Sequence, residues 1–519
     1  MSPTADDAQV VIVGAGPVGM TAALLLARFG VSSVMLESKS RRDAIGSKAL
    51  CMQRDVLDVL ERVRAGLGEQ LATEGVTWQL GRTYYREHEL FTTTFPKTET
   101  AHFPPFVNIG QDRTEQLLEQ AVTDQPLTGI HYGHTVDGLE DDGNRVTVQT
   151  KTSDGPRDLD AKYVIAADGA HSPSRELLGV DFPGHSFDDL FLICDIRADL
   201  PFEKERRFFF DPDWNPDRQV LIHPQADSVW RIDWQVPPDF DLQHEQASGA
   251  LDSRIRKIVG DRDYEIVWQT AYRFHQRLAD NFAVGRIFLA GDAAHLYAPF
   301  GARGLNSGIQ DAENLAWKLG YVVNGWAHPS LLDSYETERR AAALENLHIT
   351  TPTMRFLVPQ NDDEWRRRRS VLDRAVEDPK AADLVDSGTL AQPYAYVDSP
   401  LTTISTPAGG PDGGVVPPGA LCPDAHCQLA DRPQVTRLRQ LFGDGIVVCA
   451  SGPDPWGSDG PDPVQHCSVD DMDGTGDLRA ILGLSGEEAL LVRPDGHIAA
   501  RVPHTRTDLH AARRRVLSY

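Results

Sequence analysis

The 519-residue sequence predicts an α/β protein. A dinucleotide-binding domain on a doubly wound parallel sheet is interleaved with a β-rich domain and followed by a small α/β unit. Three observations carry this reading. Val10-Val11-Ile12-Val13 is an apolar run without polar alternation, as in a parallel strand covered on both faces, and it leads through Gly14, Gly16 and Gly19 into a helical stretch. Two similar runs return later, Tyr163 to Ala167 and Ile287 to Ala290, and each ends next to an acid, in Asp168-Gly169 and Gly291-Asp292. Between them, residues 181–277 change to short aromatic and β-branched segments separated by Pro- and Asp-rich turns.

The first turn has the GxGxxG spacing. Gly14 permits the tight turn, and Gly16 lets backbone approach a pyrophosphate at the helix N-terminus that Pro17 and Val18 open. Gly19 lets helix and strand pack closely. The second strand, Ser33 to Leu36, ends at Glu37, where a carboxylate accepts hydrogen bonds from a ribose and repels a 2′-phosphate. A polar stretch then leads to a helix over about Met52 to Arg64. Residues 76–105 read as strands and turns that a doubly wound domain can admit as an insertion on the substrate side. Gln111 to Leu118 opens an amphipathic helix, and His131 to Leu139 and Arg145 to Thr150 read as paired strands. The β-rich domain holds strands at 191–196, 206–210, 220–223, 229–236 and 265–274. After Gly291-Asp292 come helices over Leu305 to Asn324 and Pro329 to Leu347. A Pro/Gly-rich stretch at 399–420 reads as a linker. The terminal unit has strands at 445–450, 489–493 and 497–501, the last two joined by Pro494-Asp495-Gly496. The expected domains are therefore 1–180 with 278–398, then 181–277, then 399–519.

A net charge of -25, from 76 acidic and 51 basic residues, argues against nucleic-acid or anionic-membrane partners. The densest basic run, Arg366 to Arg369, follows Asp362-Asp363-Glu364 and reads as a solvated helix face. Met1 to Asp7 has no basic n-region, and no run approaches the roughly 18 apolar residues of a membrane span, so a cytoplasmic protein is expected. The six cysteines show neither CxxC nor zinc-ligand spacing; no metal and no disulfide are expected.

The glycine turn with Glu37, Asp168-Gly169, and Gly291-Asp292 running on to Pro299-Phe300-Gly301-Ala302-Arg303-Gly304-Leu305-Asn306 all stand where strands end, the place where open α/β sheets bind ligands. They can converge on one elongated cofactor. No second GxGxxG follows a strand, which leaves no separate nicotinamide-binding domain. In motif order and spacing the chain strongly resembles the FAD-dependent aromatic hydroxylases, single-component flavoprotein monooxygenases of the para-hydroxybenzoate and phenol hydroxylase type. The unit after residue 420 is similar to the thioredoxin-like C-terminal domain of one subgroup. Cys422 and Cys427, with four residues between them, make redox activity there an unexpected outcome.

The resemblance implies roles. Glu37 would hold the adenosine ribose, Gln111 and Arg113 would contact the FAD chain, and Asp292 would bind the ribityl or pyrophosphate region. Asp168-Gly169 would support FAD and the transient approach of NAD(P)H. Pro299 and the Gly301 to Asn306 loop would line the isoalloxazine ring, with Gly304, Leu305 and Asn306 presenting backbone N–H groups to its pyrimidine side. Two positions depart from the family. Lys48-Ala49 replaces the usual Arg-Ala pair, keeping a charge but losing the bidentate fork. Gly301-Ala302-Arg303-Gly304 replaces Gly-Gly-Gln-Gly, and Arg303 is open to contact with flavin, nicotinamide phosphate or an acidic substrate, or to an ion pair with a nearby acid.

The implied reaction is hydroxylation of a small phenolic substrate. NAD(P)H reduces the flavin, O2 forms a C4a-hydroperoxide, and the ring attacks its distal oxygen. A base near the phenol helps, and Tyr272, His275, His223 and Arg273 are the candidates by their position on or beside the β-rich domain. His295 reads as a helix-start residue. Phe208 to Phe210, Trp214, Trp230 and Trp234 read as pocket lining or core. Epoxidation, Baeyer-Villiger-type oxygenation and a non-catalytic flavin-binding role are the alternatives, and the oligomeric state lies between monomer and homodimer. Trp230 to Pro237 lacks the WxWxIP spacing of flavin-dependent halogenases.

Overall fold

A computed structural model describes residues 8–42, 49–95, 101–403, 415–430, 432–452, 464–473 and 476–519. Lys48 lies outside the described residues, as does half of the expected linker, residues 404–414. The chain opens with β1 (Val10–Val13), α1 (Pro17–Arg28) and β2 (Ser33–Glu37). Every residue of β1 is buried, and the strand lies between β2 and a later strand, both parallel to it, which is why its sequence shows no polar alternation. Pro17 starts α1 where its missing N–H has no helical partner to lose.

Next come β3 (Cys51–Gln53), α2 (Arg54–Val63), α3 (Leu67–Glu74), the hairpin β4 (Leu80–Tyr85) and β5 (His88–Thr94), and β6 (Phe106–Asn108), which pairs with β3. Helix α4 (Gln111–Asp124) leads to β7 (Thr128–Tyr132), parallel to β2. The stretch read as one strand from His131 to Leu139 is divided by a turn at Gly133: β7 stays in the main sheet, while β8 (Thr135–Asp141) joins β9 (Val146–Thr152) and β10 (Gly155–Ala161) in an antiparallel meander. Strand β11 (Tyr163–Ala166) returns beside β1 and is followed by the short α5 (Pro173–Leu177).

The β-rich part comprises β12 (Gly184–Ala198), β13 (Arg206–Phe210), β14 (Gln219–Pro224), β15 (Val229–Val236), α6 (Leu242–Ser248), α7 (Ala250–Val259) and β16 (Tyr264–Leu278). The chain re-enters the first sheet through β17 (Ala283–Val284) and β18 (Ile287–Leu289), which complete the order β17-β18-β11-β1-β2-β7. Strand β19 (His295–Leu296) then caps the β-rich sheet, whose order is β19-β16-β12-β15-β14-β13-β4-β5. The 76–105 stretch therefore supplies two strands to the same sheet as 181–277, β4 running parallel to β13. His295, expected at a helix start, lies in β19 and is buried, because the chain stays extended to pair with Leu278.

Helices α8 (Gly304–Val323), α9 (Asp333–Leu357) and α10 (Asp362–Glu377) follow. Helix α9 runs ten residues beyond its expected end and through Pro352. Met354, Leu357 and Val358 are anchored in a core with Phe208, Phe210 and Phe300, and that packing outweighs the hydrogen bond the proline removes. The terminal unit holds β20 (Ile446–Ala450), β21 (Val464–Ser468), α11 (Val469–Met472), α12 (Asp477–Leu482), β22 (Glu488–Val492), β23 (Ile498–Pro503) and α13 (Arg506–Val516), with strand order β21-β20-β22-β23. Strand β21 had no counterpart in the sequence reading; its polar Gln465, His466 and Ser468 hide the period. Among the described residues, no helix is long and apolar enough to cross a membrane.

Candidate active site

The three strand-end motifs meet. Gly14 adopts φ +97°, and a Cβ there would stand 2.5 Å from the carbonyl oxygen of Ala167, at the end of β11. A Cβ on Gly19 would stand 2.1 Å from the Gly14 carbonyl oxygen, so only glycine lets α1 start this close to its turn. Gly16, by contrast, faces open space, with nothing within 4 Å of an added Cβ. That is the arrangement a bound pyrophosphate needs: a rigid turn behind, room in front, and the N-terminus of α1, begun by Pro17 and Val18, supplying N–H groups. Val18 also packs against the Gly291 turn.

Glu37 ends β2 with its carboxylate accepting from the backbone N–H groups of Ala15 (3.1 Å) and Lys39 (3.0 Å). The glycine turn and the acid are thus held as one unit, and the remaining lone pairs of Glu37 suit ribose hydroxyls. Gln111, first residue of α4, accepts from Ala49 N–H (3.1 Å) and donates to Glu115 (2.7 Å), beside the undescribed stretch that holds Lys48. The Arg113 guanidinium binds both carboxylate oxygens of Glu74 (2.7 and 2.8 Å) and Gln116. Glu74 of α3, not foreseeable from the local motif, thus holds the guanidinium expected to contact the FAD chain.

Asp168 caps α5, accepting from Ser172 and from the Ser174 N–H, while Gly169 takes φ +83°. The buried Arg175 then ties the two acid motifs together by donating to the carbonyls of Ala170 (3.1 Å) and Ala293 (3.0 Å). Gly291 sits at φ +62° with exposed Asp292 beside it. The Gly291 N–H donates to Asp311 (2.9 Å), which also binds His295 (2.7 Å) and Arg339 (2.6 Å), with all three side chains buried. Asp311 and Arg339 carry no motif of their own in a single sequence; only the helical spacing of α8 places Asp311 beneath the turn.

The loop before α8 is equally fixed. Pro299 is exposed, Gly301 takes φ +99° with the Thr389 carbonyl 2.4 Å from an added Cβ, and Gly304 opens α8 onto free space. Leu305 follows, half-buried, and Asn306 clamps the loop to β3 by accepting from the Gln53 N–H (3.0 Å) and donating to the carbonyls of Cys51 (2.9 Å) and Ala302 (2.6 Å). Arg303 is 3% exposed and donates to Asn346 and to the Thr389 carbonyl (3.1 Å). Among the described residues it makes no ion pair, and Glu345 acts on it only electrostatically. It borders a cavity of about 240 Å³ behind the loop, with Gln53, Ser307, Asn346 and Tyr394.

Facing that loop is one side of the β-rich sheet. Alternation along β15 sends Trp230, Ile232 and Trp234 to the far side, where they pack with Leu251, Ile255 and Val259 of α7. Arg231, Asp233 and Gln235 point to the near side. Register places Asp233 beside Leu221 and Ile193, and His223 beside Arg231, which Asp195 neutralises through two 2.8 Å hydrogen bonds. Phe208, Phe191 and Phe274 lie on the same side and meet Phe300 of the loop, so this is the wall that faces the cofactor motifs.

The candidate bases divide on this wall. Tyr272 is on it, paired with Phe191; burial and the carboxylate of Asp292 raise its pKa, so it can donate a hydrogen bond but stays protonated. His223 is on it, near Trp78, and burial with Arg206 and Arg231 drives its pKa well below 6.5. His275 is held by Ser186 (2.8 Å) with its ring 6.2 Å from that of Tyr272, and Arg273 donates to the Phe187 carbonyl (3.1 Å). The sequence reading missed Asp233. One of its carboxylate oxygens is buried without a partner, and burial pushes its pKa up to about 7. The signal was in β15 itself, where Arg, Asp and Gln alternate with Trp, Ile and Trp in a strand central to its sheet.

These features define a flavoprotein-type dinucleotide site with an adjoining pocket wall. Residues 7–350 match the family described as FAD binding domain, and the chain belongs to that family. It is 31% identical over 369 residues to a 3-(3-hydroxy-phenyl)propionate/3-hydroxycinnamic acid hydroxylase of Comamonas testosteroni, covering 71% of this chain but only 62% of that relative's length. It is 30% identical to the tetracenomycin A2 monooxygenase-dioxygenase of Streptomyces glaucescens, covering 99% of this chain and 97% of the relative. Among solved structures, the flavin-dependent monooxygenase PieE, crystallised with FAD and substrate, superposes with a TM-score of 0.82 at 22% identity over 98% of this chain and 99% of that one, a likeness of fold.

Proposed function

We propose that the protein is an FAD-dependent monooxygenase that inserts one oxygen atom of O2 into a phenolic ring, with NAD(P)H as a transient reductant. FAD, when bound, supplies the electron and oxygen chemistry. The chain's own residues bind, orient and manage a proton. Gly14, Gly16 and Gly19 with Pro17 and Val18 hold the pyrophosphate, Glu37 the ribose, Gln111 and Asp292 the connecting chain, and Asp168-Gly169 with Arg175 the crossing between motifs. The turn at Gly291 and the loop from Pro299 through Gly304, Leu305 and Asn306 fix the ring end; Lys48 is included by resemblance alone.

The observation that carries the reading is the polar wall across from the loop. Asp233, with its pKa near 7 and a buried oxygen without a partner, is the proton acceptor for a phenol, a match of pKa to task that neither Tyr272 nor His223 offers. Tyr272 and His223 orient the substrate. The enzyme is taken as a cytoplasmic monomer or homodimer.

The test is NAD(P)H oxidation by the purified yellow protein with oxygen uptake and product mass, beginning with 3-(3-hydroxyphenyl)propionate, the compound class in the relative's name. Acceleration with gain of one oxygen and a new phenol supports the proposal. An epoxide or lactone in its place moves the reaction to the alternative class, and no phenol-stimulated oxidation from any phenolic compound overturns it. Asp233→Asn should lower turnover about 100-fold or more while FAD binding is unchanged.

A further inference from the structure

The wall contains a positive charge with no counter-charge. Arg206 begins β13, and because Arg207 pairs with Ile222, Arg206 stands beside His223 on the wall that faces the loop. Its guanidinium donates to the carbonyl of Ser387 (2.9 Å) and lies over the ring of Phe208 (5.1 Å). Among the described residues, no carboxylate lies within ion-pair distance of it. Its neighbours differ: Arg207 binds Glu205, Arg218 binds Asp189, and Arg231 binds Asp195.

The groups around Arg206 cannot neutralise it. Burial pushes the Cys51 thiol up to about 12, so it is uncharged, and His223 is held neutral. Burial pulls Arg206 itself down only to about 10, so it remains a cation at neutral pH. A half-buried cation costs free energy unless an anion joins it. The position points to what that anion is. Arg206 and the Cys51 thiol act on each other electrostatically, and the Cys51 carbonyl accepts from Asn306, so Arg206 lies near the strand that the loop grips. Asp233 is two strands and two residues away on the same wall, roughly 12 Å between Cα positions by strand geometry.

We infer that Arg206 is a specificity-determining anchor for an anionic group, a carboxylate or an acidic enol or phenol, on an aromatic substrate whose reacting ring extends toward Asp233. The inference rests on the proposed phenolic reading of the same cleft and adds the charge of the substrate. A planar guanidinium binds such a group with two parallel hydrogen bonds, which lysine cannot reproduce.

The experiment titrates the FAD-loaded protein with 3-hydroxybenzoate, 3-(3-hydroxyphenyl)propionate and 3-hydroxy-2-naphthoate, each against its methyl ester, and reads the shift of the flavin absorption band. The wild-type protein should bind at least one acid about tenfold or more tightly than its ester. Arg206→Gln should bring that ratio to about one by weakening the acid and leaving the ester unchanged, and Arg206→Lys should keep an intermediate ratio. No preference for any acid in the wild-type protein overturns the inference, whether or not the glutamine variant folds. A preference that survives in Arg206→Gln also overturns it. Turnover is scored separately: acids that bind through Arg206 but gain no oxygen leave the anchor standing and count against the oxygenation reading.

Discussion

Replacing Asp311 by Asn tests whether the buried triad under the Gly291 turn positions the cofactor. Asp311 accepts from the Gly291 N–H, His295 and Arg339, and it is 0% exposed. Asparagine is nearly isosteric but offers one acceptor oxygen and a pair of N–H donors, so one of the donors now facing the carboxylate meets another donor. Arg339 keeps Tyr396 and Ser307 but loses the one acid it binds among the described residues. Breaking a buried ion pair from one side costs about 3–5 kcal/mol. About 1–2 kcal/mol of that, one hydrogen bond's worth, should fall on the Gly291 turn and weaken FAD binding about 5- to 30-fold. The assays are urea unfolding of the holoprotein and FAD titration of the apoprotein. The pH dependence gives a second check. Burial alone would raise the pKa of Asp311, but His295 and Arg339 outweigh it and hold the carboxyl below its ordinary 3.8. A depressed acid contributes stability that is present above its unfolded value and lost as pH falls through the folded one. The difference between wild type and variant should therefore be constant above about pH 5 and shrink below about pH 4. An unchanged FAD constant with stability altered by under about 1 kcal/mol would refute the positioning role.

Other consequences can be measured directly. Gly19→Ala places a Cβ 2.1 Å from a backbone oxygen, so the variant should purify without FAD, whereas Gly16→Ala, with open space, should retain measurable FAD. Asp233→Asn should stabilise the protein at pH 8 and have no effect at pH 4, as judged by thermal unfolding: a raised acid favours the folded state at low pH, and the cost of its charge appears as pH rises through about 7. The thiols should not react rapidly with an aromatic disulfide reagent at pH 8 in the native state, and all six should react in guanidinium, because Cys422, Cys427 and Cys51 are pushed up to about 12, 11 and 12 by burial.

The parallel core was legible because each of its central strands is covered on both faces, which writes an unbroken apolar run into the sequence, and because glycines appear where an added Cβ would stand within 3 Å of neighbouring backbone. The long β-rich sheet was legible as strands but not as an order: nothing local shows that β4 runs beside β13 or that β12 lies between β15 and β16. The same distinction holds in the site. Gly14, Glu37 and Asp292 announce themselves by spacing along the chain, whereas Asp311, Arg175, Asp233 and Arg206 act through residues distant in sequence. Tyr272 and Phe191 illustrate the limit most simply, since they stand side by side only because β16 pairs with β12, a pairing that neither strand announces in its own sequence.

The terminal unit is tied to the flavin half by charges that are themselves buried. Arg493 and Asp495, on the hairpin between β22 and β23, bind Glu338 of α9 and Trp317 of α8, while Lys318 and Ser399 complete the shell of Glu338. A second tie joins Arg439 to Asp58 of α2 at 2.7 Å. Such pairs add little net stability to a fold, yet separating them exposes lone charges, which makes undocking costly in a way that apolar packing of the same area is not. A domain that had to swing away to exchange electrons would be poorly served by them, and its buried, protonated cysteines offer no thiolate for that chemistry. The arrangement suits a brace. Helix α8 begins in the loop at the ring end of the cofactor site and reaches Asp495 of the terminal unit three turns later through Asn314 and Trp317. By fixing that helix from behind, the unit holds the position of the Gly304 to Asn306 backbone.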